Sequence, residues 1–379
     1  MNTIATLGAK LYKETSRKIQ QTWYCDTRAS SVGEGGAQVP AVLKVASLFY
    51  EKGLRKDQES LLRGRVKLCA PVISIGNLTV GGTGKTPLTI WICEFLLASG
   101  FHPAVLTRGY GRRGKSPGRI PVCCDESLWE LFGDEPVMMS QYLPQTPVWV
   151  GANRAVSGEA AIACGGVDVL VLDDGFQHLR LERDLDIVLL DCRNPFGNGL
   201  VLPAGPLREP VSSLKRAQGF VITHAGEKAQ TAHLKKRLEN LFPGTAVFAC
   251  NHRLKGIRLK RAGPLLDPCG LAGKRAVAFA AIASPQSFFD DLQRAGLRLC
   301  QTFDFPDHHR YASEELLEIL GSASAHRTGL IVTTAKDFAR VPPYLKDAFA
   351  VAEIGIEFGC DGDAFGKFIE KRLKGSKLL

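Results

Sequence analysis

No run in this 379-residue chain stays apolar for the ~18 residues that a bilayer crossing needs. The nearest, residues 39–50 ("VPAVLKVASLFY"), is shorter and carries Lys44. The N-terminus lacks a continuous hydrophobic region, so a cleaved secretory signal is not expected. None of the 11 cysteines stands in a C-x-x-C pair and their number is odd. That excludes a disulfide framework and a zinc ribbon, and favours a reducing compartment. The adjacent Cys123 and Cys124 read as part of a buried strand. There is no H-E-x-x-H, no matching Cys/His set, no internal repeat and no low-complexity segment. Aromatic–basic interleaving is also missing, so nucleic acid is not an expected partner. No obligate protein partner is evident.

What is present supports a large core. The hydrophobic fraction is 45% and the charged fraction 23%, with a length that suits two domains. The net charge of +10 is uneven, since residues 1–67 hold twelve basic against six acidic side chains. A basic arm of this kind seeks an anionic membrane surface or an acidic substrate. Ile4, Leu7, Leu11 and Tyr12 fall near helical spacing among Lys10, Lys13, Arg17 and Lys18. Both a helix lying in a membrane interface and one packed on the protein fit this pattern. Residues 30–38 ("SSVGEGGAQ") read as a flexible break.

From residue 68 onward, short apolar runs alternate with helical patterns. Strands are expected at 68–75, 102–107, 167–172, 186–190 and 219–223, with a helix over 86–98. Continuous apolar strands separated by helices mean a parallel sheet covered on both faces. The rhythm changes near 245–270, and a second α/β set follows from 275. The expected fold is therefore α/β: a P-loop-like parallel-sheet domain at 66–250, a second, smaller α/β domain at 251–379 closing over a cleft, and an N-terminal basic, amphipathic helical segment at 1–65 that associates with membrane.

The chemistry starts at residues 76–86, "GNLTVGGTGKT", between a strand and a helix. The phosphate-loop pattern is G-x-x-x-x-G-K-[ST], but its first position here is Thr79. Gly81, Gly82 and Gly84 let successive N–H groups point at phosphate oxygens, and the helix N-terminus adds partial positive charge. Lys85 would reach the terminal phosphates and Thr86 would hold Mg²⁺. A hydrophobic strand ending in Asp173 and Asp174 ("VLVLDDGFQH") has the Walker B form, whose carboxylate serves Mg²⁺. In "GDEP", Asp134 reads equally well as a helix cap and as the base for a sugar hydroxyl. "GYGRRG" at 109–114 matches a dinucleotide fingerprint, but no helical pattern follows, so it reads as a basic loop over an anion. "TTAKD" at 333–337 misses the guanine-site spacing, which favours adenine. Taken alone, His308 in "FDFPDHHRY" is most simply a loop histidine.

Together "ISIGNLTVGGTGKTP", "LTRGYGR", "GDEP", "GANR", "LDDGFQH", "LPAGPLRE" and "FPDHHRY", in this order, resemble the tetraacyldisaccharide 4′-kinases of lipid A biosynthesis. That family's own loop also lacks the leading glycine. The resemblance covers residue 66 to the C-terminus. It implies transfer of the γ-phosphoryl of ATP to the 4′-hydroxyl of a tetraacyldisaccharide 1-phosphate, with Mg²⁺, at the cytoplasmic face of the bacterial inner membrane as a peripheral protein. It further implies that Thr83, Lys85 and Thr86 bind ATP phosphates and Mg²⁺, that Asp134 acts as base with support from His308, and that Glu135, Asp173 and Asp174 form the metal site. Tyr110, Arg154, Gln177, His178, Arg208 and Glu209 would lie near the substrate or the transferring phosphoryl. The rival readings are a P-loop ATPase coupled to a partner protein or another acceptor, and a basic nucleic-acid module.

Overall fold

The computed structural model describes Trp23 and residues 39–110, 112–114, 117–121, 128–259, 263–307 and 309–376. The expectations for the first 38 residues other than Trp23, for Cys123 and Cys124, and for His308 lie outside the described residues.

A helix, α1 (Ala41–Arg63), leads in. The first sheet comprises β1 (Val72–Asn77), β2 (Pro103–Thr107), β3 (Gly118–Arg119), β4 (Val148–Val150), β5 (Val169–Asp173), β6 (Leu185–Asp191), β7 (Gly219–Thr223) and β8 (Ala246–Ala249). Its order is β3-β4-β2-β5-β1-β6-β7-β8, and every pairing is parallel except the short antiparallel β3–β4 edge. Interleaved are α2 (Lys85–Ala98), α3 (Trp129–Phe132), α4 (Asp134–Tyr142), α5 (Arg154–Ala163) and α6 (Lys228–Leu241).

The strands are apolar at consecutive positions because both faces are covered. Ile73, Val105, Val171 and Ile187 pack into one core with α2 and α4, while Leu106, Leu170, Leu172 and Ala161 pack into another beneath α5. Val188, Phe220 and Ile222 meet Leu234 and Leu238 of α6. Each strand thus divides its alternate residues between two dry layers.

After Cys250 the chain enters a second sheet. Its strands are β9 (Asn251–Arg258), β10 (Leu265–Leu266), β11 (Arg275–Ala280), β12 (Arg298–Asp304), β13 (Ile331–Thr334) and β14 (Ala350–Glu357), in the order β10-β9-β14-β13-β11-β12. The pairs β11–β12, β11–β13 and β13–β14 are parallel, whereas β9 runs antiparallel to β14 and β10. The helices α7 (Pro285–Arg294), α8 (Ser313–Ala325) and the single turn α9 (Ala335–Phe338) connect these strands. The basic alternation at 245–258 conceals a change of sheet, with β8 completing the first and β9 founding the second.

The last helix, α10 (Gly362–Ser376), returns to the first sheet. Phe365, Ile369 and Leu373 are fully buried beside Ile75, Leu88 and Phe248. Asp361 accepts the Ala249 N–H at 2.8 Å, so the outgoing and returning chains are joined where they cross. Among the described residues no helix is long and apolar enough to cross a membrane. Truncation of Phe365 to alanine is expected to destabilise the protein by about 3–5 kcal/mol in urea denaturation; a change under about 1 kcal/mol would mean that α10 adds little to the first core.

Candidate active site

The register of β1 against β5 sets the geometry. Ile75 pairs with Asp173, so the loop leaving β1 and the carboxylates ending β5 emerge side by side. Gly76 is obligatory there, since a Cβ would come within 2.5 Å of the Phe176 Cβ. Thr79 fills the motif's first position without a left-handed backbone, because it bridges Leu207 in extended form. Val80 N–H donates to Pro206 and Arg208 N–H to Leu78 on either side of it. Neighbouring chain thus shapes what a glycine would otherwise allow. Gly84 does need its glycine: its φ is +88°, and a Cβ would strike the His252 ring.

The loop opens α2 with Lys85, whose Nζ donates to Asn77 Oδ1 at 3.1 Å and lies 3.8 Å from Asp174. Thr83 is buried, and its hydroxyl has no partner among the described residues. Gly81, Gly82, Thr83, Gly84, Lys85 and Thr86 all line one cleft of about 1010 Å³.

Asp173 and Asp174 behave differently. Asp173 is buried and accepts the Thr89 hydroxyl at 3.0 Å. Burial, then Glu135 and Asp174, push its pKa up to about 7, against the pull of Lys85 and Thr89. Asp174 sits at φ +51°. Burial opposes its charge too, yet Lys85 and Arg208 outweigh that and hold its carboxyl below the usual range. Arg208 Nη1 reaches both Asp174 oxygens at 3.0 Å and Gln177 Oε1 at 3.4 Å. Gln177 in turn donates to the Asn77 carbonyl at 3.0 Å.

Across the cleft, Asp134 begins α4. Its Oδ1 accepts its neighbour's N–H at 2.9 Å, and its Oδ2 is gripped by Arg340 of the second sheet. Glu135 meets Lys336 at 3.0 Å, and Lys336 also meets Asp307 at 3.1 Å. Tyr110 is exposed at the rim. Glu209 is fully buried, held by Arg216 at 2.9 Å and by Gln58 of α1 at 2.7 Å. Arg154 and His178 lie apart from the cleft lining. Burial and Arg108 lower the Arg154 pKa to about 10, and burial with Arg154 and Arg183 lowers that of His178 to about 4. Among its described residues the "GYGRRG" segment holds no helix start, and Arg113 pairs with Glu130 at 3.0 Å.

Several side chains at this site escaped the motif reading. Asn77 and Thr89 orient Lys85 and Asp173. Lys336 and Arg340 lie in or next to the segment weighed only as a failed guanine signature. At the far wall Asp191 lies 3.2 Å from His224, whose Nε2 is 3.1 Å from His252 Nδ1. These partners are 30 or more residues apart or carry no spacing signal.

A family model described as tetraacyldisaccharide-1-P 4′-kinase matches residues 39–374. The chain belongs to this family. The tetraacyldisaccharide 4′-kinase of Syntrophobacter fumaroxidans is 40% identical over the whole of both chains, and that of Geobacter metallireducens is 40% identical over 81% of this chain and 90% of its own. A crystal structure of the Aquifex aeolicus enzyme in complex with ATP superposes with a TM-score of 0.69 at 26% identity, covering 87% of this chain and 98% of that one. The activity is accordingly that of a tetraacyldisaccharide 4′-kinase, the ATP-dependent 4′-phosphorylation of the lipid A disaccharide precursor. The rival ATPase and nucleic-acid readings fall.

His178 and His252 are both held neutral well below their ordinary 6.5, each to about 4, with burial the main cause. Unfolding lets each bind a proton in that window, so the kinase should lose stability as pH falls from about 6.5 toward 4. A His178→Asn/His252→Gln double variant should flatten the slope of melting temperature against pH over this range; an unchanged slope would contradict the assignment.

Proposed function

We propose that this kinase holds ATP on Gly81, Gly82, Thr83, Gly84, Lys85 and Thr86, with Asp134 as the base on the 4′-hydroxyl. The supporting observation is that one cleft contains the β1 loop, the β5 carboxylates, the Asp134–Glu135 pair and the inner face of α1. A lysine at the start of a helix, beside an ionised Asp174, suits a transferring phosphoryl group. The acceptor oxygen attacks the γ-phosphorus, the bond to the bridging oxygen breaks to leave ADP, and the hydroxyl proton passes to Asp134. Two sheets meeting over the cleft would exclude water that would otherwise hydrolyse ATP.

The residues suit a magnesium ion. Asp173 and Glu135 crowd negative charge in a buried place, which is the environment a cation relieves. The described residues contain no group of three or more His, Cys, Asp or Glu able to cage a metal alone. That agrees with an ion held by one or two carboxylates, the Thr86 hydroxyl and the phosphates themselves. When bound, it would neutralise charge on the β- and γ-phosphate oxygens. Asp174 pairs with both Arg208 and Lys85, so we assign it to orienting them, with Thr86 and Asp173 nearer the metal and Glu135, itself paired with Lys336, beside them. Arg154 and His178 would act from behind the β5 carboxylates, and Tyr110, Gln177, Arg208 and Glu209 at the acceptor side.

The lipid would enter along α1. This helix is docked by polar contacts: Ser47 Oγ donates to the Val201 carbonyl at 2.8 Å, and Tyr50 OH to that of Arg208 at 3.0 Å. Val42, Val45, Leu48 and Phe49 remain exposed, up to 77% for Val42, with Lys44, Lys52 and Lys56 on the same helix. An outward apolar strip among cations supports a peripheral seat on an anionic bilayer. Since ATP is the donor, that bilayer face would be the cytoplasmic one of the bacterial inner membrane.

Lys85→Ala should abolish formation of labelled lipid from radiolabelled ATP while the protein stays folded; retained turnover would refute the loop assignment. Asp134→Asn should lower kcat by about 10²–10⁴-fold with ATP affinity kept; a loss of melting temperature alone would leave Asp134 with a structural role, through its pair with Arg340, and no part in proton transfer. Phe49→Glu with Leu48→Glu should reduce co-sedimentation with phosphatidylglycerol vesicles by tenfold or more, and unaltered sedimentation would remove α1 from the membrane contact.

A further inference from the structure

The second sheet reaches the proposed base through one buried guanidinium. Arg340 is 2% exposed at its side chain and Asp134 6%. Its Nε donates to Asp134 Oδ2 at 2.9 Å, and Nη2 converges on the same oxygen. Its Nη1 faces the other way, to Asp337 Oδ1 and the His309 carbonyl, both at 3.3 Å.

Asp337 is itself immobilised. Its Oδ2 accepts the Thr334 hydroxyl at 2.6 Å and the Ala281 N–H at 3.1 Å. Thr334 ends β13 and Ala281 follows β11, neighbouring parallel strands of the second sheet. The arginine is thus anchored to one sheet and presents its fork to a carboxylate at the start of a helix on the other. One turn earlier, Lys336 spans Glu135 of the first sheet and Asp307 of the second. Burial works against its charge, yet Glu135, Asp307 and Asp134 raise its pKa.

A dry ion pair of this kind costs much of what it gains and is weak evidence of stability alone. Its geometric content is greater. A planar, always-charged fork fixes the carboxylate's rotation as a point-like ammonium does not. It also exists only while the two sheets are docked.

We propose that Arg340 is a positioning residue for phosphoryl transfer: it orients the Asp134 carboxylate toward the acceptor hydroxyl and makes that orientation conditional on docking of the second sheet. The inference rests on Asp134 being the base.

The test compares Arg340→Lys, Arg340→Met, Asp134→Asn and the Asp134→Asn/Arg340→Met double variant of the full chain, with Mg-ATP and detergent-dispersed tetraacyldisaccharide 1-phosphate. Arg340→Lys keeps the charge and loses the fork; kcat should fall about tenfold with KM for ATP unchanged. Arg340→Met should lose about 100-fold in kcat, again with KM for ATP unchanged. The double variant should be no slower than Asp134→Asn alone, because Arg340 acts through that carboxylate. Arg340 variants within twofold of the parent, or fully multiplicative losses, would overturn the inference while leaving Asp134 as base. An active Asp134→Asn would overturn both together. Should Arg340→Met fail to fold, the kcat and KM of Arg340→Lys decide.

Discussion

Buried negative charge in and behind the cleft is the constraint on which the rest of the structure depends. Asp134, Asp173, Asp337 and Glu209 are all buried, and Asp174 and Glu135 stand beside them. Each needs a cation or a proton, because an isolated charge out of water is costly. The chain answers from several elements. Lys85 comes from the β1 loop, Arg208 from the segment that shapes that loop, Arg216 from the approach to β7, and Lys336 and Arg340 from the second sheet. Asp173 has Lys85, a threonine hydroxyl and Arg154 to favour its charge, and its raised pKa records that burial and the neighbouring carboxylates outweigh them. A kinase that binds phosphates and a divalent cation there would complete the balance.

The α/β class and the alternation of strands with helices were legible in the sequence because parallel strands buried on both faces are apolar at every position. The strands at 102–107, 186–190 and 219–223 were found within a residue or so of their observed ends. The three-residue β4 and the terminal β14–α10 pair left no such run to find. The handover at Cys250 was obscured because β8 and β9 follow one another with one residue between them, and only tertiary pairing separates them.

The loop was legible for a local reason, since its glycines and Lys85 act within a few residues of one another. The rest of the cleft was not. Thr79 is explained by Leu207, Asp134 by Arg340 and Glu209 by Gln58, separations of more than a hundred residues that no spacing rule reaches. "GDEP" was ambiguous between cap and base in the sequence; the cap position falls on Gly133, with no side-chain cap hydrogen bond, and Asp134 is the first residue of α4 and lines the cleft.

The return of α10 to the first sheet has a mechanical consequence. The second sheet is an excursion, leaving through β9 and coming back through β14, and these strands run antiparallel with His252 opposite Ile356 and Asn251 opposite Glu357. It therefore hangs from a two-stranded ribbon whose root is fastened by the Ala249–Asp361 bond. A ribbon flexes readily across its flat face but is stiff in its own plane. Ile356 at that root is buried in the first core, so a bend of the second sheet against the first would be taken across the ribbon's flat face. Contacts far from the root, such as the one between Arg340 and Asp134, would be the first that such a bend separates.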